Sequence, residues 1–153
     1  MSKLSKWAGL FFVVLLVNTA YVASFPSATI FYMTNVLLHL GLGLALAVAL
    51  GILLGNNEEL RRGIGLAGPC FFVSLIFALY LVARGNVAEQ RWAFWAHIAT
   101  ASLGVLLLLP YLRQQAARFG GGWTQFERGV LAGAAVLALL PASSALYRRA
   151  VPN

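Results

Sequence analysis

Long apolar runs alternate with short polar breaks along the whole chain, and five of these runs contain no charged residue. They cover residues 7–24, 30–54, 64–83, 92–112 and 129–147. A helix needs roughly 17 to 25 apolar residues to cross a hydrocarbon core of about 30 Å, so each run predicts one transmembrane helix. Barrel strands alternate apolar and polar residues, and these runs do not. The pattern predicts an all-α membrane protein, a bundle of five transmembrane helices that forms one integral membrane domain, 1–153.

The composition agrees with a membrane protein. Hydrophobic residues make up 61% of the chain and charged residues only 10%, which excludes an ordinary soluble domain. A net charge of +7 in a soluble protein would favour nucleic acid as a partner, but these basic residues lie at the ends of apolar runs. The predicted partner is therefore membrane lipid, and nucleic acid is excluded.

Basic residues are unequally divided between the two sides that successive helices define. One side carries seven of them, namely Lys3, Lys6, Arg61, Arg62, Arg113, Arg118 and Arg128, and the other carries Arg84, Arg91, Arg148 and Arg149. Because cytoplasmic loops are enriched in Lys and Arg, this bias predicts a cytoplasmic N-terminus and a C-terminus outside. We expect a multi-pass protein of the bacterial inner (cytoplasmic) membrane.

The first run has a second interpretation. Lys3 and Lys6 precede it, and small residues follow near Ala23, as in a secretory signal peptide. Both interpretations leave the other four helices with the same orientation.

The longest break, 113–128, combines basic residues with three glycines at 120–122. We expect a cytoplasmic segment that lies on the membrane surface. Its aromatic residues Phe119, Trp123 and Phe126 also make it a candidate quinone or partner site.

The apolar runs contain little that can carry chemistry. No Asp, Glu, Lys or Arg lies inside any run, so a carboxylate proton relay and an arginine voltage sensor have no residues to use. The single cysteine, Cys70, excludes an intramolecular disulfide and the C-x-x-C-H attachment of a c-type haem. Two histidines remain, His39 in the second run and His97 in the fourth, and a histidine within a membrane span is a candidate functional residue.

The two histidines are predicted to lie at similar depth. Both of their helices run from outside to inside, so His39 and His97 enter from the same face. At 1.5 Å per residue from the outer end of its helix, His39 lies at a depth of roughly 14 Å and His97 at a depth of roughly 8 Å. The expected site is in the outer half of the membrane.

Each histidine is followed or preceded by small and polar residues on the same face of its helix. These neighbours include Asn35 and Gly43 in the second helix, and Ala93, Thr100, Ala101 and Gly104 in the fourth. Such a strip admits either a close helix or a flat, bulky cofactor.

We therefore interpret His39 and His97 as the axial ligands of one b-type haem, held between the second and fourth helices. Asn35 and Thr100 are candidates to orient the imidazoles. The outer residues Arg91 and Arg84 are candidates to pair with the haem propionates, ahead of Arg148 and Arg149. The alternative is that each histidine only forms a hydrogen bond across a helix interface.

With these residues the chain resembles small b-type membrane cytochromes, such as the haem-carrying membrane subunits of hydrogenases and formate dehydrogenases. The resemblance rests on His39 within residues 35–41 and on His97 within residues 95–98, and it covers the second to fourth helices as a pattern. It implies haem b, iron and membrane electron transport. Those families commonly hold two haems on four histidines, whereas two histidines here allow one.

Three functions follow from these residues. The first is an electron-transfer subunit, a carrier rather than a catalyst, whose haem passes electrons from a quinol or neighbouring centre to a partner outside the membrane. The second is a structural subunit of a larger membrane complex with no cofactor. The third is a pigment-binding subunit, in which each histidine binds the magnesium of a chlorophyll.

Overall fold

The computed structural model describes residues 2–85 and 87–150, and within these ranges the chain is helical, with no strand. Its elements are α1 (Lys3–Ser24), α2 (Ile30–Asn56), α3 (Glu58–Gly63), α4 (Ala67–Arg84), a 3-10 turn (Ala88–Gln90), α5 (Arg91–Phe119) and α6 (Gly122–Ala150). All of these except α3 and the 3-10 turn are long and apolar enough to cross a membrane. The predicted five-helix membrane architecture is confirmed at this level.

Local sequence signals account for where several helices begin. The side chains of Ser2, Thr29 and Asn57 each accept a hydrogen bond from the backbone amide three residues further on. These caps satisfy amides that have no partner in the first turn of a helix. They fix the starts of α1, α2 and α3.

The last two long helices extend beyond the predicted limits. The segment 113–128, expected to lie on the membrane surface, is helical except for a turn at Gly120 and Gly121. Both glycines have positive φ, 58° and 51°, which permits a tight reversal that other residues adopt at a cost. The charged residues of this segment end the apolar run, but they do not end the helix.

The helix α1 is central to the bundle. It packs against α2 and α6, while α6 packs against α5 and α5 against α4. The bundle is closed by an edge-to-face contact between Phe12 of α1 and Phe71 of α4, whose ring centroids are 5.7 Å apart.

The apolar core lies towards one end of the bundle. Its buried members are Phe12, Leu16, Ile64, Val105, Tyr111, Leu112 and Val130. We call this the basic end, because it includes the start of α1, the helix α3, the end of α5 and the start of α6, which carry the seven basic residues of the more basic side. An ion pair between Arg118 and Glu59, 3.0 Å apart, joins the end of α5 to α3.

Close approach between helices depends on glycines in this core. A Cβ added to Gly104 of α5 would lie 2.8 Å from the Phe71 ring, and one added to Gly63 would clash with the Tyr111 ring. By contrast, α2 has no buried residue among its 27. The bundle is therefore tightly packed around α1, α4, α5 and α6, and α2 is its most exposed member.

Candidate histidine site

The structure brings the two histidines together. The rings of His39 in α2 and His97 in α5 have centroids 6.3 Å apart and planes at 83° to one another. Both side chains are half-buried. Among the long helices α2 packs closely only against α1, so the histidine pair lies where α2 and α5 approach without close helix packing.

The hydrogen bonds of His39 define which of its nitrogens is free. Its Nδ1 lies 3.2 Å from the hydroxyl oxygen of Thr19 in α1. That hydroxyl donates its single hydrogen to the carbonyl of Leu15, at 2.7 Å, so towards His39 it can only accept. The proton of a neutral imidazole is therefore assigned to Nδ1, and the Nε2 lone pair of His39 is available to a ligand.

The hydrogen bonds of His97 also define its tautomer. Its Nδ1 lies 2.9 Å from the backbone carbonyl of Ser74 in α4 and 2.9 Å from the Ser74 hydroxyl. A carbonyl only accepts hydrogen bonds, so Nδ1 of His97 must donate. Both histidines thus share one tautomer, in which Nδ1–H is held by a neighbouring helix and Nε2 carries the lone pair. This is the usual arrangement of a metal-binding histidine.

The two residues predicted to orient the imidazoles have other partners. Asn35 accepts a hydrogen bond from Asn18 of α1, at 3.0 Å, and donates to the carbonyl of Phe31. Thr100 donates to the carbonyls of Ala96 and His97. Asn35 therefore links α1 to α2, and Thr100 contacts the backbone of His97 but not its ring.

The strips of small residues differ between the two helices. Nothing lies within 4 Å of a Cβ added to Gly43, so the space beside His39 on α2 is open. On α5, Ala93 is fully buried and Gly104 is in contact with Phe71. Arg91 is exposed at the start of α5. Any bulky ligand of the pair has room along α2, whereas the Gly104 part of the α5 strip serves helix packing.

Sequence analysis missed the residues that hold the rings. Thr19 and Ser74 are isolated hydroxyl residues in apolar stretches, and Ser74 is buried. Each lies on a helix adjacent in sequence to the one that carries its histidine. A search for polar residues at matching depth on neighbouring helices would have found them.

The donor set restricts the kind of metal group that fits. In residues 2–85 and 87–150, no group of three or more His, Cys, Asp and Glu side chains is placed to bind a metal. The imidazoles of His39 and His97, with ring centroids 6.3 Å apart, are the two nitrogen donors present at the site. Two imidazoles fall short of the four protein ligands of a structural zinc site. They would suit a macrocycle that brings the remaining ligands of its own metal.

The fold and the site define a helical protein with five helices long and apolar enough to cross a membrane, and with a histidine pair between two of them. No protein-family model, no curated protein and no solved structure matches this chain.

Proposed function

We propose that this protein is a membrane electron-transfer subunit that holds one haem b between His39 and His97. The observation that carries the proposal is the meeting of the only two histidines at 6.3 Å, each with Nδ1 bound to a neighbouring helix. Electrons would pass from a quinol or a neighbouring redox centre to a partner subunit on the outer side of the membrane. The resemblance to small b-type membrane cytochromes supports the same role.

Each residue of the site has a defined task in this proposal. The Nε2 atoms of His39 and His97 would hold the iron, while Thr19 and Ser74 hold the rings in orientation. The exposed guanidinium of Arg91, six residues before His97, is available to a propionate. When bound, haem b would supply reversible one-electron oxidation and reduction, and a site with two imidazole donors would favour electron transfer over catalysis.

The Thr19 hydroxyl offers a test of the tautomer. Thr19→Val keeps the side-chain shape but removes the acceptor for Nδ1–H of His39. We expect haem affinity to fall roughly 10- to 100-fold, the usual effect of losing such a partner. Titration of haem into detergent-solubilised apoprotein measures it. Thr34→Val is the matched control, because that hydroxyl is exposed and donates to the Ile30 carbonyl. Equal affinities in both variants would contradict the assigned role.

The orientation in the membrane is also part of the proposal. We propose that the basic end lies in the cytoplasm of a bacterium and that the histidine pair lies in the outer half of its inner membrane. A phosphatase reporter fused after the last residue should then be active, and a cytoplasmic reporter at the same position should not. The reverse result would place the histidines near the cytoplasmic face.

A structural subunit without a cofactor is the second candidate. It is favoured by α2, which exposes its apolar surface along the whole helix and so offers a face to another subunit. A subunit with two chlorophylls fits less well, because each macrocycle needs the space beyond its own imidazole and the two ring centroids are only 6.3 Å apart. An absorption spectrum of the purified protein separates the three functions, since haem b, chlorophyll and a bare chain differ throughout the visible range.

A further inference from the structure

A second candidate site lies at the basic end, away from the histidines. There a cavity of about 1280 Å³ opens between α1, α2, α3 and the α5–α6 turn. Leu10, Val13 and Phe126 contribute apolar surface, and Lys6 and Gln125 contribute polar groups. Along α1 the lining changes from Lys6 near the helix start to Leu10 and Val13 one and two turns further in. The cavity is therefore polar near the start of α1 and apolar further along the helix.

The lining carries one positive and one negative side chain, Lys6 and Glu59. Glu59 is engaged by Arg118 at 3.0 Å, whereas Lys6 forms no ion pair with any residue that the structure describes. The ammonium of Lys6 is thus the charge left for a ligand, and it is one of the seven basic residues at this end of the bundle.

A buried amide also lines this cavity. Gln115 of α5 is only 5% exposed, yet its side chain forms no hydrogen bond within the described ranges. Its amide offers two donor hydrogens and one acceptor oxygen. Its amide atoms keep access to the cavity, because Asn18 Oδ1 is the one fully buried side-chain polar atom without a partner among the described residues. The Gln115 amide is therefore available to a ligand in the cavity.

We propose that this cavity binds one anionic phospholipid, with the phosphate near Lys6, an ester or phosphate oxygen on the Gln115 amide, and acyl chains along Leu10 and Val13. The volume exceeds the range of about 300 to 1,000 Å³ typical of small-molecule sites, which favours a whole lipid over the head of a quinone. The unpaired ammonium of Lys6 favours an anionic head group, and basic pockets between transmembrane helices commonly bind such lipids. This inference does not depend on haem binding.

Native mass spectrometry of the full chain in mild detergent tests the proposal with phosphatidylglycerol, phosphatidylcholine and inorganic phosphate as separate probes. One phosphatidylglycerol should bind per chain, more tightly than phosphatidylcholine, and inorganic phosphate should not compete at millimolar concentration. Lys6→Gln should weaken phosphatidylglycerol binding about fivefold, as expected for one basic residue. Lys3→Gln removes the same charge from the same helix end but lies outside the lining, so it should bind as the wild type does.

A second pair of variants tests the amide. Gln115→Glu places a negative charge in the cavity and should weaken phosphatidylglycerol binding further, whereas the exposed neighbour Gln114→Glu should not. The proposal is overturned if Lys6→Gln and Lys3→Gln bind equally, if both lipids bind equally, or if a quinone displaces phosphatidylglycerol. Competition by inorganic phosphate would instead show a simple anion site and would also overturn it.

Discussion

Replacing His97 with Ala is expected to abolish stable haem binding. The variant removes one of the two proposed iron ligands and leaves the Ser74 carbonyl without its imidazole donor. His39 alone would hold the iron weakly and from one side. Purified wild-type protein should show the absorption bands of six-coordinate low-spin haem b, and the variant should contain less than about a tenth of that haem, corresponding to at least 1.4 kcal/mol of lost binding energy. His39→Ala should behave in the same way.

Cys70→Ala is the matched control for these variants. It changes another single residue inside a membrane span, half-buried in α4, and should leave the spectrum unchanged. Thermal unfolding of each variant distinguishes loss of haem from loss of fold. If the wild-type protein, expressed with sufficient haem supply, shows no haem absorbance, the electron-transfer proposal is wrong and the structural subunit becomes the better interpretation.

Gly104→Leu is expected to destabilise the bundle strongly. A Cβ at this position already lies 2.8 Å from the Phe71 ring, so a larger side chain must push α4 and α5 apart. Overpacking of this kind costs about 1 to 3 kcal/mol. The loss should appear as a lower midpoint of unfolding in mixed detergent micelles, where the helix content is the measured signal. Because His97 lies two turns before Gly104 and contacts α4 through Ser74, haem binding should weaken as well.

Gly51→Ala is the control for the glycine variant. No atom lies within 4 Å of a Cβ added to Gly51, so alanine should be tolerated and should raise helix propensity slightly. Adding Phe71→Leu to Gly104→Leu should recover part of the lost stability, because the clash is with the Phe71 ring. A Gly104→Leu protein as stable as Gly51→Ala would show that α4 and α5 do not pack as described.

The number and positions of the long helices were predictable from the sequence. Runs of apolar residues without charge identify membrane spans directly, since a charge in hydrocarbon is costly. The ends of α5 and α6 were not predictable in this way. Beyond the hydrocarbon a helix continues or stops according to local backbone preference, and the signal there was the pair Gly120 and Gly121 rather than the first arginine.

The candidate site was predictable in part. The two histidines stood out because intramembrane imidazoles are rare, and the structure places their ring centroids 6.3 Å apart. Asn35 and Thr100 were predicted as their partners because they lie on the same helix faces as the histidines, whereas the hydrogen bonds to the rings come from Thr19 and Ser74 on other helices. Contacts between helices depend on their relative rotation, which periodicity within one apolar helix does not define.

The unequal lengths of the helices bear on the kind of bilayer that suits this protein. With 18 residues, α4 spans about 27 Å, while the 29 residues of α5 and of α6 span about 44 Å each. A bilayer core of about 30 Å therefore leaves roughly 14 Å of α5 and α6 among the head groups. A change of a few ångströms in membrane thickness alters which turns of α5 and α6 are solvated. It does not separate α5 from α6. The protein is thus expected to keep its interhelical contacts in membranes of differing acyl-chain length.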